Sequence, residues 1–288
     1  MKLNEIIVIS GKGGTGKTML TASIVPYLDE PVIGDCDVDA PDLHILLNPK
    51  NYETSSFSGS KKAGIDKGGC SRCNLCRKTC AFNAITDNFR INHLKCEGCG
   101  VCVQVCPNNA IELYPIETGS IMTADTEYGP MIHARLIPGE ETSGKLVTEV
   151  RKRTKLTAYE KGLKTVLIDG SPGIACNVIS SLTGASKAVI VTEPTISGIH
   201  DLGRVIKIVR KFNIKIFIVI NKYNLSKSGY NKLLKYCQKN NLEIDLKIPF
   251  HKKIVETITQ KKIPSLFIPS VFNSDQWKNF ISKLKAYD

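Results

Sequence analysis

Glu5-Ile6-Ile7-Val8-Ile9-Ser10-Gly11-Lys12-Gly13-Gly14-Thr15-Gly16-Lys17-Thr18 runs from an apolar, β-branched stretch straight into a glycine-rich one. Glu5 to Ser10 has the character of a strand covered on both faces, as in a parallel sheet. Met19 to Leu28 continues as a helix. Gly11 to Thr18 fit the pattern GxxxxGK followed by Ser or Thr, with the strand and helix flanks that pattern needs. Its glycines let backbone N–H groups close around phosphates, and the helix N-terminus adds partial positive charge. Gly11, Lys12, Gly13, Gly14, Thr15, Gly16, Lys17 and Thr18 are therefore the expected nucleotide-binding residues. Lys17 is expected on the β- and γ-phosphates and the Thr18 hydroxyl on Mg2+. A glycine-rich turn without a ligand is the plainer alternative, which the flanking elements disfavour.

Further along, Pro31 to Gly34 form a short second strand ending in the acidic stretch Asp35 to Asp42. From Asn48 to Lys67 the chain is rich in Ser, Lys and Gly and is expected to be a loop. A cysteine-rich module spans about Ala63 to Tyr114, followed by a Gly- and Pro-containing return. Ser143 to Lys155 is expected to be helical. The pattern then alternates: strand Thr165 to Asp169, a helix from about Ala175, strand Ala188 to Thr192, helix Ser197 to Phe212 and strand Lys215 to Ile220. Helix Lys227 to Lys239, strand Leu242 to Ile248 and two final helices complete it. Strands alternating with helices predict an α/β fold with a doubly wound, mostly parallel sheet. A small α+β module is inserted after the second strand. The expected boundaries are 1–62 and 117–288 for the main domain and 63–116 for the insert.

Eight of the 11 cysteines fall in two matched runs, Cys70-x2-Cys73-x2-Cys76-x3-Cys80 and Cys96-x2-Cys99-x2-Cys102-x3-Cys106-Pro107. This is the spacing of a two-cluster bacterial ferredoxin, in which the fourth cysteine of each run ligates the other cluster. Cys70, Cys73, Cys76 and Cys106 are expected to hold one 4Fe–4S cluster, and Cys96, Cys99, Cys102 and Cys80 the second. Zinc knuckles usually pair two CxxC units across a longer spacer and fit these runs poorly. Disulfides are disfavoured because the N-terminus lacks the features of a signal peptide, which points to the reducing cytoplasm.

The chain has 288 residues, 42% of them hydrophobic, enough for one large domain plus a small insert. No apolar run approaches the roughly 20 residues of a membrane-spanning helix. The formal charge is +12, from 39 Lys and Arg against 27 acids. Anionic clusters and Mg-ATP would offset part of it. The lysines are dispersed and lack the interleaved aromatics of a nucleic-acid groove, so no nucleic-acid partner is expected. An acidic protein partner is compatible with this charge.

Lys12 and the residues around it resemble a known family. Lys12 to Thr18, KGGTGKT, resembles the deviant Walker A motif of the MinD/ParA/Mrp and nitrogenase iron protein ATPases. That resemblance implies ATP as ligand, a nucleotide-dependent homodimer, and a catalytic role for Lys12 in trans on the partner's phosphates. Asp35 to Pro41 resemble the family's switch I, which implies that Asp37 orients the attacking water, with Asp35 or Asp39 near Mg2+. Val166 to Asp169 has the Walker B form, so Asp169 would hold Mg2+ through water. Gly170-Ser171-Pro172-Gly173 resembles switch II. Asn221-Lys222-Tyr223-Asn224 resembles the base motif NKxD, but Asn224 stands where guanine recognition wants an acid. That favours ATP, with Asn221 near the adenine. Thr192 to Thr195, Ser197 to Leu202 and Glu141 to Leu146 also match the family. The chain as a whole resembles a P-loop ATPase of this superfamily with an inserted ferredoxin domain.

Some features depart from the family. Mrp-type carriers place a CxxC pair late in the chain, where this sequence has only Cys237. Cys176 has the spacing of one cluster ligand of the nitrogenase iron protein, but its companion is missing; a small buried thiol near the dimer seam is expected instead. Cys36 is expected to be half-buried. The five histidines have no metal-ligand spacing. Trp277, Phe280, Ile281 and Leu284 form an amphipathic C-terminal helix. It is expected to pack on its own sheet, with membrane association, as in MinD, the alternative. The expected function is an iron–sulfur ATPase coupling hydrolysis to low-potential electron transfer to, or maturation of, a partner metalloprotein. The alternatives are a cluster-assembly factor and a MinD-like positioning ATPase.

Overall fold

The computed structural model describes residues 2–140 and 143–287. β1 (Asn4–Ser10) is buried throughout and delivers the chain to the glycine-rich loop. α1 (Lys17–Ile24) begins inside the motif and passes into a 3-10 turn, Val25–Tyr27. Pro26 explains why α1 stops short of Leu28: it has no N–H, and its ring opposes the carbonyl one turn back. β2 (Val32–Asp35) and α2 (Leu43–Leu47) follow, then β3 (Lys50–Phe57).

Two compact units divide the chain. One is Met1–Ser55, Ile121–Leu136 and Ser143–Asp288; the other is Ser56–Ser120 with Ile137–Thr142. In the second unit, β4 (Ser60–Ile65), α3 (Leu75–Thr79), α4 (Val101–Gln104) and β5 (Ile111–Ile116) enclose a small core of Ala63, Ala84, Ile85 and Ile111 with Cys76 and Cys96. β4 and β5 are antiparallel from Ser60 opposite Ile116 to Ile65 opposite Ile111. The boundary expected between residues 62 and 63 therefore falls inside a strand.

The two cysteine runs repeat in conformation as well as in sequence. Arg72, Asn74 and Asn83 have positive φ, and so do Gly98, Gly100 and Asn109 at the equivalent places of the second run. Ala84 N–H donates to Cys80 Sγ at 3.4 Å, and Ala110 N–H to Cys106 Sγ at 3.3 Å.

The chain returns through β6 (Gly119–Thr126) and β7 (Gly129–Leu136) to α5 (Ser143–Glu160). Then come β8 (Thr165–Pro172), α6 (Cys176–Leu182), β9 (Lys187–Thr192), α7 (Ile196–Lys211), β10 (Lys215–Asn221), α8 (Lys227–Lys239) and β11 (Ile244–Ile248). α9 (Lys252–Thr259), the short α10 (Pro264–Phe267) and α11 (Pro269–Phe272), and α12 (Asp275–Lys285) finish it. The sheet order is β11-β10-β9-β1-β8-β2-β7-β6-β3, and every pairing from β11 to β7 is parallel. This is the expected doubly wound, mostly parallel sheet.

Two expectations fail at the β3 end of that sheet. The supposed loop from Asn48 to Lys67 contains β3 and β4, and the return contains β6 and β7. The insert accordingly leaves the sheet from its edge strand β3 rather than after the second strand. β3 is mostly exposed and carries Asn, Glu, Thr and Ser, so neither alternation nor an apolar run betrays it.

The core lies between the sheet and its helices. α12 turns Trp277, Phe280, Ile281 and Leu284 inward, beside Tyr27, Phe217 and Phe272. Its C-terminal end is fastened by Lys187, fully buried at the start of β9, whose ammonium donates to Asn4 Oδ1 at 2.9 Å, Leu284 O at 3.0 Å and Ala286 O. The apolar face of α12 is thus spent on its own sheet. No described helix is long and apolar enough to cross a membrane.

Candidate functional site

β1 lies between β9 and β8, with Val8 opposite Asp169. That register sets the glycine-rich loop beside the acid at the end of β8, at the carboxyl ends of the strands where α/β sheets bind ligands. Gly14 and Gly16 have φ of 76° and 91°, conformations that glycine adopts without steric cost. A Cβ on Gly16 would also lie 2.2 Å from Asn221 Nδ2. Gly11 is tight for another reason: its Cβ would lie 2.5 Å from the Cβ of Asp201 on α7.

Lys17, almost fully buried at the start of α1, reaches two acids. Its Nζ is 2.9 Å from Asp169 Oδ2 and 3.6 Å from Asp37 Oδ2. Burial works against the ammonium, but Asp169, Asp35 and Asp37 together hold its pKa above the ordinary lysine value. Asp169 also accepts from Thr18 Oγ1 and Thr21 Oγ1, both at 2.7 Å. Burial raises the Asp37 carboxyl; Lys17 opposes the rise and Asp169 adds to it. Asp37 and Asp169 around one ammonium leave excess negative charge. That donor set, with the Thr18 hydroxyl, suits a hard divalent cation such as Mg2+.

Asp35 has a different task from the one considered for it. It is fully buried, and its two oxygens accept from the backbone N–H groups of Asp37 at 3.0 Å and Leu43 at 3.2 Å. Burial, and then the charge of Asp169, push its carboxyl well above the usual range. It braces the turn that presents Asp37. Asp39 is exposed on that turn. On the other side, Cys36 N–H donates to Asp169 O at 2.8 Å, and Gly173, at φ 95°, donates to Ser10 O at 2.9 Å.

Asn221 meets the loop backbone. Its Nδ2 donates to Thr15 O at 2.7 Å, and its Oδ1 accepts from Lys222 N–H at 2.9 Å. Lys222 Nζ donates to Gly14 O at 3.0 Å. Asn224 is tied elsewhere, its Oδ1 accepting from Phe250 N–H at 2.6 Å. Lys12 Nζ pairs with Glu193 Oε1 at 2.6 Å and donates to Ser197 Oγ at 3.1 Å; Lys222 approaches the other oxygen of Glu193 at 3.4 Å. Burial opposes ionisation of Glu193, but the two lysines lower its pKa below the ordinary glutamate value. The sequence reading gave no role to Thr21, Glu193 or Lys222. Thr21 sits one helical turn beyond Lys17 and could have been found from that spacing; Glu193 and Lys222 lie in segments singled out for family likeness, with no local sign of their contacts with the loop.

The eight cysteines form two groups, and each group crosses the runs. Cys70, Cys73, Cys76 and Cys106 line one cavity; Cys80, Cys96, Cys99 and Cys102 line the other. Among the described residues no three His, Cys, Asp or Glu side chains converge on a point that would hold a single metal ion. A cubane is itself several ångströms wide, so its ligands ring a cavity rather than meet at a point. Four thiols around each cavity, with an N–H donated to the fourth sulfur, fit such a cluster by donor chemistry.

Two of the three remaining thiols differ from expectation. Cys36 is fully buried rather than half-buried, and burial pushes it up to about 12. Cys237 is also buried, and burial raises it to about 11. Cys176 is exposed at the first residue of α6, not buried. Of the five histidines, His44 and His133 stack with ring centroids 5.2 Å apart, a meeting the sequence did not suggest. Of the family-like segment Glu141 to Leu146, Glu141 and Thr142 lie outside the described residues.

The family described as the CobQ/CobB/MinD/ParA nucleotide binding domain matches residues 6–264. An uncharacterized protein of Methanocaldococcus jannaschii is 34% identical over 229 residues, 78% of this chain and 80% of that one. A shorter stretch of 79 residues, 25% of this chain, is 41% identical to part of the dihydromethanopterin reductase (acceptor) of Methanosarcina mazei, covering 33% of it. Among solved structures, the septum site-determining protein MinD with Mg-ADP from Pyrococcus horikoshii has a TM-score of 0.59 at 18% identity. The match covers 99% of this chain and 95% of that one, a likeness of fold.

Proposed function

The chain belongs to the CobQ/CobB/MinD/ParA nucleotide-binding family, and from that premise we propose that it is a homodimeric iron–sulfur ATPase. ATP binding and hydrolysis rearrange the dimer and thereby gate low-potential electron transfer to, or maturation of, a partner metalloprotein. The observation that carries this reading is the crossed grouping of eight cysteines on a chain that also holds a complete phosphate loop.

Each residue of the loop has a part. Backbone N–H groups from Gly11 to Gly16 cradle the phosphates, and Lys17 neutralises the charge that develops on the transferred group. Thr18 and Asp169 hold Mg2+, with Thr21 fixing the Asp169 carboxylate. Asp37, presented by the Asp35 brace, orients the attacking water. Lys12 leaves Glu193 to contact the phosphates of the other protomer. When bound, the clusters supply one-electron chemistry. The cysteine unit holds them by four thiolates each, which suits retention better than donation and places cluster assembly second. A reducing cytoplasm suits these thiols.

The buried face of α12 removes the usual basis for the membrane-positioning alternative. The test is an ATPase assay on anaerobically purified protein. Lys17→Ala and Asp37→Ala are each expected to lower kcat at least about 100-fold. Unchanged turnover in both would refute the assignment of the site.

A further inference from the structure

We propose that the face of the cysteine unit around Cys70 docks an acidic redox protein, and that electrons cross at the cluster expected on Cys70, Cys73, Cys76 and Cys106. This rests on the iron–sulfur reading above. Beside Cys70 lies a concavity of about 310 Å3, lined by Ile65, Lys67, Arg72, Phe89 and Arg90 among others. Its one acid, Asp87, is engaged by Arg77. Lys67, Arg72 and Arg90 are exposed, and none of them is in an ion pair among the described residues. Three cations outside any described ion pair thus line, together with Ile65 and Phe89, a concavity that includes a candidate cluster ligand.

The two cysteine-lined cavities also differ in charge: Arg72 lines the one around Cys70, Cys73, Cys76 and Cys106, and Glu97 the one around Cys80, Cys96, Cys99 and Cys102. The contrast reaches the backbone. Arg72 and Gly98 occupy equivalent places in their runs, both at positive φ (57° and 63°). A Cβ on Gly98 would lie 2.0 Å from Lys61 O, so glycine is forced there. In the first run a full arginine side chain stands in the same conformation, one that is unfavourable for a non-glycine residue. Guanidinium groups match carboxylates in bidentate geometry, and a basic patch speeds encounter with an acidic partner by about 10- to 1000-fold at low salt. Because Cys70 lines the same concavity, a seated carboxylate brings the partner's redox centre within reach of this cluster. Nucleic acid is the poorer occupant, since Phe89 is the only aromatic lining the concavity.

The test uses the intact holoprotein and, as probe, an acidic flavodoxin in its anionic hydroquinone form. One electron leaves the hydroquinone, which becomes the neutral semiquinone, and an oxidised cluster takes it up; no atom or proton is transferred. Iron content and absorbance of the same sample report separately on the iron–sulfur reading: without iron that reading fails before charge is tested. With iron present, the second-order rate is expected to fall about tenfold between low and physiological salt. Lys67→Glu/Arg72→Glu/Arg90→Glu is expected to lower the low-salt rate at least about tenfold, with reduction by dithionite unchanged. Lys232→Glu/Lys235→Glu/Lys239→Glu on α8, an equal change of charge elsewhere, is expected to have little effect. Equal slowing by both triple variants, or by neither, overturns the proposal. So does inorganic phosphate that slows the wild type as much as the first triple variant at constant ionic strength, since the concavity would then be a small-anion site. If the triple variant loses iron, Arg90→Glu alone carries the same test.

Discussion

Lys12 Nζ stands 2.6 Å from Glu193 Oε1, so the extra lysine of the phosphate loop is tied within its own chain. The lysine that the resemblance sends across a dimer must first leave this carboxylate. Lys222 and Ser197 share the contact, so one acid restrains the loop and the start of α7 together.

Glu193→Gln is therefore expected to release Lys12 and raise the ATP-induced dimer fraction, measured by light scattering. Lys12→Ala is expected to abolish it. The pair also has a pH signature. The folded Glu193 pKa is depressed, so its contribution to stability is complete above the ordinary glutamate value and is lost as pH falls through the folded one. The difference in thermal stability between wild type and Glu193→Gln is expected to shrink in acid; a constant difference would contradict the pairing.

Asn221 is expected to act on nucleotide affinity through the loop. Asn221→Ala removes the donor to Thr15 O and costs about 1–3 kcal/mol in a buried site. Calorimetry with ATP is expected to show weaker binding, and a Gly16→Ala variant a larger loss, because its Cβ meets Asn221 in a strained backbone. Unaltered affinity in both would show that the loop is held by other contacts.

The crossed cysteine groups give a test in iron stoichiometry. Cys70→Ser/Cys106→Ser removes two ligands of one cluster, so about four of eight irons are expected to remain. Cys70→Ser/Cys80→Ser takes one ligand from each cluster and is expected to retain fewer. If Cys70→Ser/Cys80→Ser were the variant that keeps half the iron, each run would hold its own cluster.

Leu284→Ala in α12 is expected to cost about 2–5 kcal/mol, since Leu284 is fully buried in the core. Denaturation measures this directly. Co-sedimentation with anionic liposomes and ATP is expected to show no binding, whereas binding would require α12 to leave its sheet.

Much of this architecture was legible because it is locally encoded. The phosphate loop carries its glycines, lysine and flanking elements in one stretch, and the cysteine runs carry their spacing. The β3 edge of the sheet was not legible. β3 is polar and exposed, so its existence depends on pairing with β6, a partner distant in sequence. The role of Glu193, and the contact of Asn221 with the loop backbone, were obscure for a related reason. Their work depends on parallel strands that bring the ends of β9 and β10 beside β1, a fact of register rather than of composition. Cys176 misled because a thiol's burial follows from the helix end it occupies, and α6 begins at an exposed turn.

The most direct measurement is a redox titration of anaerobically purified protein, with iron quantified, in the presence of ADP and of a non-hydrolysable ATP analogue. About eight irons per chain and a midpoint potential that differs between the two nucleotides are expected. Iron-free protein, or the same potential with either nucleotide, would contradict coupling between the phosphate loop and the cysteine unit.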